Sequence, residues 1–185
     1  IEITQPEDMI ISVIQSDYSS YGVLCNGENN GFIDITVDGG TGLYTYVWDT
    51  GENTEDLMGI GPGMYNVVAT DENGCAISTS VTITEPTQLS ISSIQSDYNG
   101  YGVSCNGVND GFIDLTVDGG TGVYTYAWDN GETTQNLTEL GEGVYNVVAT
   151  DENGCSIPTS VTITEPNQLS ISSIQSDYNG YGVSC

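Results

Sequence analysis

Apolar and polar residues alternate along most of this chain. In GFIDITVD (31–38), Ile33, Ile35 and Val37 fall on one side, and Asp34, Thr36 and Asp38 on the other. YTYVWD (44–49) groups Tyr44, Tyr46 and Trp48, and MYNVVATD (64–71) groups Tyr65, Val67 and Ala69. Val81 and Ile83 alternate with Thr82 and Thr84, and residues 10–15 make another short run. A period of two, rich in β-branched and aromatic residues, predicts strands. GGTG (39–42), GPG (61–63) and DENG (71–74) lie between the runs and supply turn chemistry. No stretch combines helical spacing with helix caps.

The pattern then repeats. Residues 26–105 align without gaps on 106–185, with 63 of 80 positions identical, and 90–105 recurs unchanged at 170–185. The period of 80 divides the chain at Pro-containing joints. Residues 1–6 read as the last strand of a preceding repeat, 7–86 and 87–166 as two full repeats, and 167–185 as the start of a further, truncated one. The polypeptide is expected to continue in both directions. A unit of this size suits a small independently folding domain, since most solenoid repeats are shorter. About seven short strands per unit predict an all-β fold of tandem immunoglobulin-like β-sandwich domains in a linear array. Trp48 on a central strand fits such a core. Tyr65 at the start of a later strand fits a tyrosine corner.

Charge narrows the chemistry. The chain has 26 acidic residues and no Lys, Arg or His, for a formal net charge of −26. Phosphate and nucleic-acid partners need cations, so none is expected. Schiff-base lysines, His bases and Ser-His-Asp triads are excluded. A glycosidase built on a carboxylate pair would need Asp34, Asp38 or Asp49 repeated in every unit with no room for a cleft. No enzyme is expected. Direct membrane insertion is not expected either, because no apolar run is long enough.

The five cysteines alternate at spacings of 50 and 30 residues, with no zinc-type spacing. They read as disulfides of a secreted chain. The pairing taken here is Cys25–Cys75 and Cys105–Cys155 within units, each closing a loop worth roughly 3–4 kcal/mol in the chain-entropy model. A bridge between neighbouring units, such as Cys75–Cys105, is the alternative. Cys185 would find its partner beyond the truncated repeat.

The segment VSCNGVNDGFIDLTVDGGTGVYTYAWDNGETTQNLTEL (103–140), followed by GEGVYNVVATDENGC (141–155), resembles the SprB-type repeat of Bacteroidota cell-surface proteins. The shared pattern is Cys-x-Gly-x-x-Asp-Gly, Gly-Gly-Thr, Tyr-x-Tyr-x-Trp, Gly-x-Tyr and a closing Asp-x-x-Gly-Cys. The second unit matches every element, and the first departs at Asn30, where Asp110 stands one period later. The resemblance implies display at the cell surface after type IX secretion, with roles in adhesion and gliding. The expected function is therefore an extracellular structural or adhesive stalk or filament segment. The alternatives are a glycan- or protein-binding module acting by avidity, and a passive spacer of a larger secreted enzyme. Expected partners are neighbouring repeats of the same chain, with surface glycans or like chains laterally as further candidates.

Without cations, carboxylate clusters are the strongest remaining chemistry. Calcium takes six to eight oxygens and is the one cofactor considered. Asp17 and Asp97 in the SDY loops, Asp71, Asn73, Asp151 and Asn153 in the DENG turns, and Glu85 and Glu165 at the joints are its candidate ligands. The competing reading is that these are ordinary turn residues. Tyr18, Tyr21, Tyr98 and Tyr101 could form a sugar-stacking surface, but packing against the adjacent domain or the sandwich edge is the preferred reading. Asn136 begins an Asn-Leu-Thr sequon, a weak glycosylation signal.

Overall fold

The computed structural model describes residues 4–175 and residue 180. Two sandwiches follow one another. The first is built from β1 (Ile10–Gln15), β2 (Gly31–Asp38), β3 (Thr45–Trp48), β4 (Leu57–Ile60), β5 (Gly63–Thr70) and β6 (Ala76–Ile83). The second repeats it as β7 (Ser90–Gln95), β8 (Gly111–Asp118), β9 (Thr125–Trp128), β10 (Leu137–Leu140), β11 (Gly143–Thr150) and β12 (Ser156–Ile163).

Each sandwich packs a β1-β2-β4 sheet on a β3-β5-β6 sheet, or their equivalents, and all pairings are antiparallel. The predicted alternation is realised in β2, where Ile33, Ile35 and Val37 are buried and Asp34, Thr36 and Asp38 are exposed. Val23, Trp48, Leu57, Val67, Val81 and Ile83 join Ile33 and Ile35 in the first core, and the equivalent residues, Trp128 among them, form the second with Leu140 added. The Trp48 indole N–H donates to Thr54 O at 2.9 Å, so its one polar atom is satisfied inside the core. Tyr65 donates to Gly61 O at 2.9 Å and Tyr145 to Gly141 O at 3.2 Å, which closes a tyrosine corner in each unit.

The described residues form six strands per unit, against about seven expected. Residues 18–30 supply loop in place of a strand. Tyr18 and Tyr21 exchange backbone hydrogen bonds across a two-residue turn, as do Tyr98 and Tyr101. Of the expected terminal strand at 1–6, residues 1–3 lie outside the described residues and 4–6 are irregular and exposed. Residues 167–175 continue past β12 as exposed irregular chain, and Cys185 lies outside the described residues. Among the described residues, no helix is long and apolar enough to cross a membrane.

Candidate functional site

The site with the most built structure is the joint between the two sandwiches. The first unit brings the loop that follows its tyrosine turn, and that loop sits where the chain leaves the sandwich. Gly22 and Val23 N–H both donate to Thr84 O, Asn26 Nδ2 donates to Pro86 O at 3.0 Å, and Gly27 N–H donates to Glu85 Oε2 at 2.7 Å. Asn30 Oδ1 braces the same loop by accepting from Leu24 N–H at 3.0 Å. The second unit brings its DENGC turn, which sits where the chain enters. There the Asp151 carboxylate accepts from Thr121 N–H and Oγ1–H through one oxygen, and from Cys155 N–H at 2.8 Å through the other.

Between these two loops runs the disulfide Cys25–Cys155, with Cα atoms 5.8 Å apart and a sequence separation of 130. This corrects the expected pairing. Cys25 is not bonded to Cys75, nor Cys105 to Cys155 or Cys75, and Cys75 and Cys105 are exposed free thiols. The reason is polarity. Within one sandwich the two cysteines sit at opposite ends, separated by the length of eight-residue strands, ~26 Å. The exit-end cysteine of one unit meets the entry-end cysteine of the next, so the partner stands 50 residues plus one period away.

Asn153 adds polar contacts around the bond. Its Nδ2 donates to Leu24 O at 3.3 Å and to Tyr18 O at 3.5 Å, and its Oδ1 accepts from Ser19 Oγ–H at 2.9 Å. The joint shields what it touches. Tyr18, Tyr21, Leu24, Cys25, Asn153 and Cys155 are half-buried, whereas Tyr98, Tyr101, Ser104, Cys105, Asn73 and Cys75, their counterparts at the outer ends, are exposed. The Tyr18 hydroxyl itself donates to Asn30 O of its own unit at 3.4 Å.

Six of the candidate calcium ligands, Asp17, Asp71, Glu85, Asp97, Asp151 and Glu165, accept hydrogen bonds from backbone N–H groups. Asp71 accepts from Thr41, Asn73 and Cys75 N–H groups and from Thr41 Oγ1–H. Burial pushes its carboxyl up, but these donors outweigh burial and hold it below the usual aspartate value. Asp17 accepts from Ser20 N–H and Asp97 from Gly100 N–H, closing the tyrosine turns. Glu85 and Glu165 each accept from the loop of their own unit's exit end, Glu165 from Asn106 Nδ2 and Gly107 N–H. Among the described residues no three acidic or sulfur side chains converge as a metal group. Asp110 stands where the first unit has Asn30. Hydrogen bonds from the Ser104 hydroxyl and N–H hold its carboxyl low. Asn136 is exposed, and its Oδ1 accepts from Leu115 N–H at 3.1 Å, the bond Asp56 makes to Ile35 N–H one period earlier.

The missed residues are Asn153 as a bridge between units and Ser19 as its donor. The signal available was the cysteine spacing read across a full period.

The sequence model described as the SprB repeat matches residues 22–53 and 103–133, which are corresponding stretches of the two units. No curated protein matches the chain. Among solved structures the chain is similar to the C-terminal 282-residue fragment of intimin, crystallised in complex with the translocated intimin receptor intimin-binding domain. That likeness has a TM-score of 0.42 and 16% identity over 85% of this chain, which spans 64% of the fragment.

Proposed function

We propose that this chain, which carries the SprB repeat twice, is a segment of a surface-displayed structural and adhesive filament. The observation that supports this reading is the Cys25–Cys155 bond, which ties one repeat to the next through a prepared polar joint. A linker alone leaves neighbouring sandwiches free to swivel. A covalent bond beside the linker gives two connections between the same pair of units and fixes their relative orientation. Such stiffening serves a part that projects from a surface. Exposed acidic faces, with no cation anywhere to pair them, keep like segments apart and soluble. The filament would act in adhesion, and gliding is one setting in which it would do so.

Small-angle X-ray scattering of the chain with and without reductant tests the reading. A single extended particle that loosens on reduction is expected. Equal flexibility in both states would remove its basis. A glycan array with the same chain separates stalk from lectin, because saturable binding to a defined glycan would favour a recognition module.

A further inference from the structure

Each outer end of the pair carries half of the joint seen in the middle. At the entry end of the first unit, Pro6, Met9, Gly40, Cys75 and Ile77 line a groove. One period later Pro86, Leu89, Gly120, Cys155 and Ile157 line the groove at the occupied joint. The Cys75 turn is already set. Asp71 Oδ1 holds Cys75 N–H at 2.8 Å, the distance at which Asp151 holds Cys155 N–H. At the exit end of the second unit, Glu165 and Asp110 brace the Cys105 loop, as Glu85 and Asn30 brace the Cys25 loop. Both thiols are exposed. The tyrosines beside Cys105, Tyr98 and Tyr101, are 39% and 40% exposed, whereas their counterparts at the joint are half-buried.

We propose that the two ends are complementary docking surfaces for a further copy of this repeat. The exit end of one copy receives the entry end of the next, and Cys105 closes onto a Cys75-type cysteine in the geometry of Cys25–Cys155. The interface is head-to-tail, so it does not close on itself and propagates into an open filament. Closing each bond takes two protons and two electrons from the thiols. A low-molecular-weight disulfide accepts them: one thiolate attacks it and releases a small thiol, and the second cysteine displaces the other small thiol. The inference stands apart from the adhesive role, since it concerns how units join and not what they bind.

The test uses the 185-residue chain with Cys185→Ser, so that Cys75 and Cys105 are the free thiols. The protein is equilibrated at high concentration in a buffer of reduced and oxidised glutathione, then mapped without reduction after cleavage by a Glu-specific protease. A ladder of oligomers is expected. Its links should be Cys75–Cys105 in roughly tenfold excess over the symmetric pairs, with Cys25–Cys155 intact inside each chain. Cys75→Ser and Cys105→Ser chains should each stay monomeric alone. Mixed together they should give one dimer, joined through the single complementary pair. Both substitutions fall on exposed, unbonded side chains, so folding is retained and circular dichroism checks it. Symmetric and complementary links in random proportion, or glutathione-capped monomers in the mixture, would overturn the proposal.

Discussion

Ser20 and Gly100 hold the same turn position one period apart, and both are in the left-handed region, at φ 77° and 94°. The two-residue turn between the tyrosines needs positive φ at both central positions, which Asn-Gly supplies readily and Ser-Ser does not. The first repeat therefore carries backbone strain that the second avoids. Ser20→Gly is expected to raise the stability of the first sandwich by about 1 kcal/mol. Position 139 reverses the comparison, since Glu139 sits at φ 59° where Gly59 sits at 68°. Glu139→Gly should stabilise the second sandwich by a similar ~1 kcal/mol. Urea titrations of the two variants against the parent check both. No gain in either would show that the turns tolerate the side chains without cost.

Reduction should act on both sandwiches together. The bond closes a loop of 130 residues, which the chain-entropy relation values at about 5 kcal/mol. Cys155→Ser or a reductant should lower the melting temperature and let the two units melt as separate transitions in calorimetry. Peptide mapping should place Cys25 with Cys155. A Cys25–Cys75 peptide would refute the pairing.

Tyr46 donates to Glu55 Oε1 at 2.9 Å, whereas one period later Gln135 stands in place of that carboxylate. Burial first, and then the bond and charge of Glu55, push the Tyr46 phenol up to about 12. Tyr126 is raised by burial and by Tyr124. Glu55→Gln should bring Tyr46 down while burial keeps it above 10, as followed by tyrosinate absorbance. Because the folded value lies above the unfolded one, the contribution is complete below pH 10 and is lost as pH climbs through about 12. A Tyr46 titration unmoved by the substitution would refute the assignment.

Stability should peak in mild acid. Lowering pH from neutrality discharges part of the −26 and relieves self-repulsion. Below about pH 4 the sign reverses. Asp49, held low by Asn66, Asp71, held low against burial by the DENGC turn, and Asp110, held low by Ser104, all titrate below 3.8 when folded. Their contribution is present above the unfolded value and disappears as pH falls through the folded one. Asp71→Asn should flatten the acid limb of a melting-temperature profile and lower stability at neutral pH. An unchanged acid limb would exclude Asp71 as a source.

The strands were legible because alternation forces a half-buried sheet, as Ile33, Ile35 and Val37 show. Trp48 and Tyr65 were legible because each needs a particular place in a sandwich. β4 was not, since Leu57-Met58-Gly59-Ile60 breaks the alternation where the pairing with β2 shifts register. The disulfide was misread for a different reason. One cysteine pair per repeat suggests a bond within the repeat, but which end of a sandwich a loop occupies is a property of the fold. Asp71 shows a further limit: a carboxylate that organises a turn and one that binds a cation look identical in a sequence.

The Cys25–Cys155 bond also governs how far the polypeptide can be drawn out. With force applied at its two ends, the load path runs from residue 25 straight to residue 155. Residues 26–154, which include the whole of β2 to β11, hang slack beside it. Even if every strand in that span came apart, the distance between the ends could grow only through the segments outside it, 1–24 and 156–185. Oxidised, the chain behaves as a strap of limited extensibility; reduced, it can lengthen by a further ~430 Å or more, at 3.3–3.6 Å per freed residue.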